Sequence, residues 1–201
     1  MKWYAVKKGK NPGLYNSWDE CKKQVIGFPD AEYKSFENKS EAEGWLNEKE
    51  KPLDEVDGIA YVDGSFNEKA GLYGFGGFIL YKKEKDGKKE EFKTIVKGSG
   101  KNPDMMAMRN ISGEILGSME VVKIAIDLGL KSLRIYYDYK GIEMWAKGKW
   151  NRNRSGTEDY YKYMQSVKDK IHIDFVKVKG HTGVAGNEEA DALAKEAVGI
   201  K

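Results

Sequence analysis

Glu48-Lys49-Glu50-Lys51-Pro52-Leu53-Asp54-Glu55-Val56-Asp57 is the densest run of charge in the chain, and no single apolar core can take it in. The segments on either side each carry alternating and helical apolar patterns of their own, which predicts two modules rather than one continuous fold. We read residues 1–47 as a first domain, 48–57 as a charged linker and 58–201 as a second domain. A ten-residue linker reaches at most about 33–36 Å when extended, and about 16–19 Å when flexible, so the two modules are closely tethered.

The first module is only just large enough to fold alone. Trp3-Tyr4-Ala5-Val6 reads as a strand, Ser17-Trp18-Asp19-Glu20 as a helix entry, and Ser40 to Leu46 as a second, shorter helix. Trp3, Phe28, Phe36 and Trp45 are expected in its core.

The second module opens with the alternating strand Ile59-Ala60-Tyr61-Val62-Asp63. A glycine-rich strand follows from Gly71 to Tyr81, then a third from Glu91 to Val96. A long helical pattern runs from about Met105 to Leu128, with Ile115, Met119, Val122 and Ile126 on one stripe. Leu133 to Asp138 is a strand, Lys140 to Lys147 a short helix, Glu158 to Lys168 another, Ile171 to Val178 a strand and Asn187 to Ala197 a final helix. Strands first, then strands alternating with helices, indicate an α/β fold with a mixed sheet and helices on its faces.

Charged residues make up 33% of the chain with both signs mixed, and the net charge is only +3, so nucleic-acid binding would have to come from local basic patches. Cys21 is the single cysteine, which excludes an internal disulfide. One cysteine and two histidines cannot build a Cys/His zinc site, so any metal sits on oxygen ligands. The start of the chain lacks an apolar targeting core, and no apolar run approaches the roughly 18 residues needed to span a bilayer. A cytoplasmic protein without membrane association is the expectation, and no obligate protein partner is evident, so a monomer is expected.

Four acids stand out. Asp63 closes its strand and is followed by Gly64-Ser65, a turn pair that lets another backbone approach closely. Asp138 closes the strand from Leu133 in the same way. If the two strands are parallel neighbours, both carboxylates emerge from the sheet edge where ligands bind in open α/β sheets. Glu114 lies inside the long helix between Gly113 and Gly117, whose spacing strips one stripe of side chains and allows close contact with a sheet or substrate. Asp191 lies early in the last helix, on the stripe of Asn187 and beside Ala190, Leu193 and Ala194. Any one of these acids is more often a cap or a solvated charge. Four together, with neither His nor Cys in the ligand set, are what Mg²⁺ takes, and a pair of such ions about 3.5–4 Å apart hydrolyses phosphodiesters. Spacing alone supports a metal-dependent phosphodiesterase of unspecified substrate.

In order and spacing, Tyr61-Val62-Asp63-Gly64-Ser65, Asn110-Ile111-Ser112-Gly113-Glu114, Tyr136-Tyr137-Asp138-Tyr139, Gly180-His181-Thr182-Gly183 and Gly186-Asn187-Glu188-Glu189-Ala190-Asp191 resemble the motifs of the cellular type 1 ribonuclease H family. The resemblance covers about residues 58–199. It implies a five-stranded mixed sheet whose first three strands are antiparallel. It also implies an Asp63-Glu114-Asp138-Asp191 site holding two Mg²⁺ ions, with Mn²⁺ as a possible substitute, and endonucleolytic cleavage of the RNA strand of RNA–DNA hybrids to 3′-hydroxyl and 5′-phosphate ends. His181, on a glycine-flanked loop, is implied to assist proton transfer or product release. Serine–histidine catalysis is a poorer account, because no serine elbow precedes a matching base. His172 alternates with Ile171 and Ile173 and reads as structural.

By the same resemblance, Asn110 and the backbone around Gly64 and Ser65 touch the minor groove, where the 2′-hydroxyl distinguishes the strands. Asn187 joins the nucleic-acid-binding set. Where the family often has a phosphate-binding threonine, this chain has Arg109, which can also hold a phosphate. Between Ala146 and Ser155 lie Lys147, Lys149, Arg152 and Arg154 with Trp150 among them and no acid. We read this stretch as a DNA-strand contact, with Ser155 and Thr157 as phosphate ligands. The longer basic helix of some family members is missing.

Trp3 to Gly9, Ser17 to Cys21 and Tyr33-Lys34-Ser35-Phe36 are similar to the hybrid-binding (caulimovirus-type) domain at the N-terminus of many cellular ribonucleases H, over about residues 2–47. The resemblance implies that Tyr4, Trp18 and Tyr33 pack on the DNA strand's sugars and that Lys34 holds phosphate. Ser35 stands where other members often have a second lysine. A binding protein without catalysis is the rival from another class, and all four acids being present counts against it. A junction resolvase or integrase explains neither the first module nor the Gly-His-Thr-Gly loop.

Overall fold

The computed structural model describes residues 2–28, 31–47, 56–178 and 185–200. The chain divides into two compact units, residues 1–52 and 53–201. Most of the charged run falls outside the described residues. Among the described residues no helix is long and apolar enough to cross a membrane.

The first unit is a three-stranded antiparallel sheet in the order β2-β1-β3, with β1 at Trp3–Lys8, β2 at Gly13–Tyr15 and β3 at Glu32–Phe36. Two helices, α1 (Trp18–Val25) and α2 (Lys39–Asn47), pack on it. Ala5 and Val6, adjacent in β1, are both fully buried, which requires cover on both faces of the strand. Val6 joins Cys21 and Val25 of α1, while Ala5 points the other way, toward the side of α2 and its buried Ala42. Ser17 caps α1 by accepting from the Glu20 amide at 3.2 Å, and Asn38 caps α2 by accepting from the Glu41 amide at 2.8 Å. Strands β2 and β3 escape the sequence pattern. One is three residues long, and in the other no residue is fully buried, so neither shows apolar alternation. Trp3, Phe28, Phe36 and Trp45 are half-buried rather than enclosed.

The second unit is a five-stranded mixed sheet in the order β6-β5-β4-β7-β8: β4 Gly58–Asn67, β5 Leu72–Lys85, β6 Lys88–Gly100, β7 Ser132–Tyr137 and β8 His172–Lys177. β4, β5 and β6 are antiparallel, and β7 and β8 run parallel to β4. The core includes Ala60, Val62, Ile79, Ile115, Val122, Leu133, Ile135 and Tyr137, packed between sheet and helices. α4 (Asn110–Asp127) lies on β4 and β5, and α7 (Ala185–Ala197) covers β4, β5 and β6. Bare glycines let both come close. A Cβ on Gly113 would run into the Gly74 carbonyl, and one on Gly76 into the α7 backbone at Ala194.

Three readings are corrected. Gly64 and Ser65 are not a turn: β4 continues to Asn67, with Gly64 opposite Phe75 and Ser65 opposite Gly74. The long helical pattern is broken into α3 (Pro103–Met106) and α4, because Arg109 between them adopts φ 56° and ψ −129°, outside helical space. The helix expected from Glu158 begins at Ser155 as α6 (Ser155–Val167), since Thr157 and Glu158 already donate their amides to Arg154. The short helix α5 (Gly141–Ala146) lies where the pattern placed it.

Candidate active site

β4 outruns its parallel neighbour. Its pairing with β7 ends at Tyr61–Tyr136, while its pairing with β5 carries on to Asn67. Asp63 therefore sits in the notch past the end of β7, and Asp138 is the first residue after β7. Both acids emerge at the carboxyl edge of two parallel strands, where the sheet leaves room for a ligand.

Glu114 reaches this notch because α4 lies almost backbone to backbone on the sheet. A Cβ on Gly64 would strike the Asn110 carbonyl and the Glu114 amide nitrogen, and one on Gly113 would meet the Gly64 Cα at 2.8 Å. The two glycines together let the first turns of α4 drop to the level of β4. Asp63, Glu114 and Asp138 each offer a carboxylate oxygen, and the three oxygens lie within 4.8 Å of one another.

Such a cluster is costly when ionised. At an effective dielectric of about 20, each charged pair at this range repels by roughly 3 kcal/mol. Glu114 is only 1% exposed. Burial pushes its carboxyl well above the usual carboxylate range, the charges of Asp138 and Asp63 push it further, and the Tyr139 amide opposes them. Its Oε2 is buried without a hydrogen-bond partner. A hard divalent cation answers both problems, since it neutralises the charge and takes all-oxygen ligands. The donor set fits such an ion.

A family model described as RNase H matches residues 56–199. The chain belongs to the ribonuclease H family. It is an enzyme of that class, and a second model, described as Ribonuclease H1 N-terminal domain, matches residues 2–46. Human Ribonuclease H1 is 24% identical over 254 residues, an alignment covering 96% of this chain and 88% of the human protein. Ribonuclease H of Saccharomyces cerevisiae is 46% identical over 46 residues, 23% of this chain and 13% of the yeast protein. Among solved structures, RNase H1 from Halobacterium salinarum NRC-1 superposes with a TM-score of 0.51 at 22% identity, covering 71% of this chain and 97% of that one. LC9-RNase H1, described as a type 1 RNase H with the type 2 active-site motif, gives 0.54 at 19% identity, covering 75% of each chain. These two likenesses establish the fold.

The remaining site residues fall into three groups. Asp191 stands apart from the three-acid cluster and accepts from Lys195 Nζ at 2.7 Å, one turn along α7. Asn187, one turn earlier, is buried with Oδ1 unpartnered. His181 lies outside the described residues.

Around α4 and α6 the readings diverge from one another. Asn110 and Arg109 are exposed, and the Asn110 carbonyl lies against Gly64. Arg109 is already engaged, with its guanidinium 2.7 Å from Glu68 and 5.4 Å from the centre of the Phe66 ring. Lys147 pairs with Glu143 at 2.8 Å and Arg152 with Glu158 at 2.9 Å. Trp150 is 40% exposed, edge-on to Tyr139 and Trp145. Ser155 is exposed, but Thr157 is buried and its hydroxyl donates to the Arg154 carbonyl at 2.8 Å, which leaves it poorly placed to hold a phosphate. His172 is an exposed partner of Asp174 at 2.9 Å.

In the first unit, Trp18 packs against Tyr4 at 5.7 Å and Tyr33 at 5.8 Å between ring centres, and Trp18 and Tyr33 stay 41% and 44% exposed. The strand register separates Lys34 from them. Tyr4 pairs with Ser35 and Val6 with Tyr33, so Ser35 and Tyr33 share the aromatic face, whereas Lys34 pairs with Ala5 and reaches over the Phe36 ring at 4.8 Å. The position on the aromatic face is Ser35. Sequence reasoning assigned no role to Glu68, which pairs with Arg109, to Tyr139, whose amide donates to Glu114, or to Ser118 and Tyr160, buried on α4 and α6. Ser118, four residues after Glu114, carried a signal in its spacing, and Tyr139 one in its place directly after Asp138.

Proposed function

We propose that this chain cleaves the RNA strand of RNA–DNA hybrids endonucleolytically, leaving 5′-phosphate and 3′-hydroxyl ends. The observation that carries the reading is the convergence of Asp63, Glu114 and Asp138, from two parallel strands and a helix, on one point with a buried, unpartnered carboxylate oxygen. Asp63, Glu114 and Asp138 would hold Mg²⁺, with Mn²⁺ as a substitute, and Asp191 would join them by giving up Lys195. A pair of such ions, when bound, would supply activation of a water and stabilisation of the leaving oxygen. Asn110 and the Gly64–Ser65 backbone lie beside the acids, where they read the 2′-hydroxyl of the strand to be cut. His181 serves proton transfer or product release.

The DNA strand is held by Arg109 and by the Lys147–Arg154 stretch with Trp150. The N-terminal unit binds the same hybrid through Tyr4, Trp18 and Tyr33. Tethering two modest binders raises apparent affinity by roughly 10²–10⁴-fold when the linker lets both engage.

The test is cleavage of RNA–DNA, RNA–RNA and DNA–DNA duplexes of one sequence, with Mg²⁺ and with EDTA. Cleavage confined to the RNA of the hybrid, and only with Mg²⁺, is expected. Cutting of the DNA duplex, or activity in EDTA, sinks the assignment.

A further inference from the structure

Behind Glu114 lies a group of buried polar side chains that the reading above does not use. Ser118 follows Glu114 by one turn on the same stripe of α4 and is fully buried. Tyr160, on the face of α6 that packs against α4, is also fully buried. A serine inside a helix can return its hydroxyl to the carbonyl one turn earlier. Ser118 Oγ does not make that bond, and no well-formed hydrogen bond reaches Ser118 Oγ, Tyr160 Oη or Glu114 Oε2, all three of them buried. An unsatisfied buried polar group costs about 1–3 kcal/mol, so three on adjoining elements are a costly way to fill space. The three are complementary: two hydroxyls that can donate and one carboxylate oxygen that can only accept when ionised. Ser118 is one turn from Glu114 on α4, and α6 with Tyr160 packs against that helix; in keeping with this, burial pushes the Tyr160 phenol up, the Ser118 hydroxyl draws it back, and the charge of Glu114 pushes it up again.

We propose that Ser118 and Tyr160 are positioning residues for Glu114: their hydroxyls form a donor chain to Oε2 that fixes the carboxylate toward Asp63 and Asp138 when a divalent cation binds. This rests on the metal-site reading of the cluster. Alanine at 118 and phenylalanine at 160 would fill nearly the same volume without an orphaned hydroxyl, so packing does not account for the two oxygens. Outer partners of this kind orient metal ligands and typically carry 10–100-fold in metal affinity or activity.

Ser118→Ala, Tyr160→Phe and the double variant test the proposal, with Mn²⁺ binding to the free protein measured by calorimetric titration beside steady-state cleavage of a hybrid. Melting temperature in EDTA should stay level or rise. The Mn²⁺ dissociation constant should increase about tenfold in each single variant, and less than additively in the double, with KM for the hybrid unchanged. Mn²⁺ affinity within about twofold of the parent in both single variants overturns the proposal, because outer-shell effects are larger than that. A fall in EDTA stability with unchanged Mn²⁺ affinity overturns it as well, since the role would then be packing. If the parent binds Mn²⁺ with the expected dependence but cuts no hybrid, the hybrid-cleavage reading falls and the positioning role stands.

Discussion

The two units place their functional side chains in opposite ways. In the second unit three carboxylates are drawn into a notch between strand ends, beneath a helix laid directly on the sheet, and Glu114 is almost wholly removed from water. In the first unit three aromatic rings lie against one another on a small sheet and two of them stay more than two-fifths exposed. Chemistry on a phosphodiester needs charges held in fixed relation where water is scarce, and that requires a scaffold which does not yield. Recognition of a duplex surface needs open apolar area, which a unit close to the lower limit of independent folding can still supply.

Seven substitutions would break or sharpen this contrast. Asp138→Asn should reduce hybrid cleavage to below about one hundredth, a metal ligand counting for more than the 10–100-fold carried by its outer partners. Hybrid affinity, measured by filter binding in Ca²⁺, should change little, because the N-terminal aromatics remain. A parallel loss of binding would show that the two units do not divide the work. Gly113→Ala drives a methyl into the Gly74 carbonyl and should cost about 1–3 kcal/mol or more of stability in denaturant melts. Gly44→Ala in α2 meets nothing within 4 Å and should instead stabilise its unit by about 0.5–1 kcal/mol. Equal effects at the two glycines would deny that close helix–sheet contact distinguishes the units.

Trp18→Ala should weaken hybrid binding by about tenfold, within the roughly 1–3 kcal/mol that a stacking aromatic contributes, while kcat at saturating hybrid holds. Ser35→Lys should tighten binding a few-fold and steepen its salt dependence by about one counterion, whereas Lys34→Ala, on the opposite face, should do less. The smallest effect is a pH dependence. In the metal-free enzyme Glu114 has its carboxyl raised above the ordinary 4.5, so folding favours its protonated form. That favour is complete below the ordinary value and is lost as pH rises through the raised one. Glu114→Gln should therefore raise the melting temperature in EDTA at pH 8 by a few degrees, with the gain vanishing at low pH. With Mg²⁺ present the sign should reverse.

Much of this architecture was legible in the order of residues alone. Apolar alternation at 59–63 and 133–138, the glycine-rich strand between them and the charged run at 48–57 are local patterns, and local patterns report local structure. The acids at 63, 114 and 138 were legible as a set because glycines and strand ends surround them. What a one-dimensional pattern cannot carry is what happens between elements. The break at Arg109 lies inside a continuous apolar periodicity and appears only where α4 settles onto Gly64 and Gly74. That Ser35 rather than Lys34 faces the aromatic cluster follows from strand register, because a shift of one residue exchanges the two faces of a sheet.

Composition and motif spacing by themselves determined the α/β class and an all-oxygen acidic site at strand ends. Tertiary structure alone decided that Glu114 loses its water, that Ser118 and Tyr160 stand behind it, and that Thr157 turns its hydroxyl to its own helix. Burial and hydrogen-bond satisfaction are properties of neighbours brought together from distant parts of the chain, and those neighbours exist only once the sheet and its helices have closed on one another.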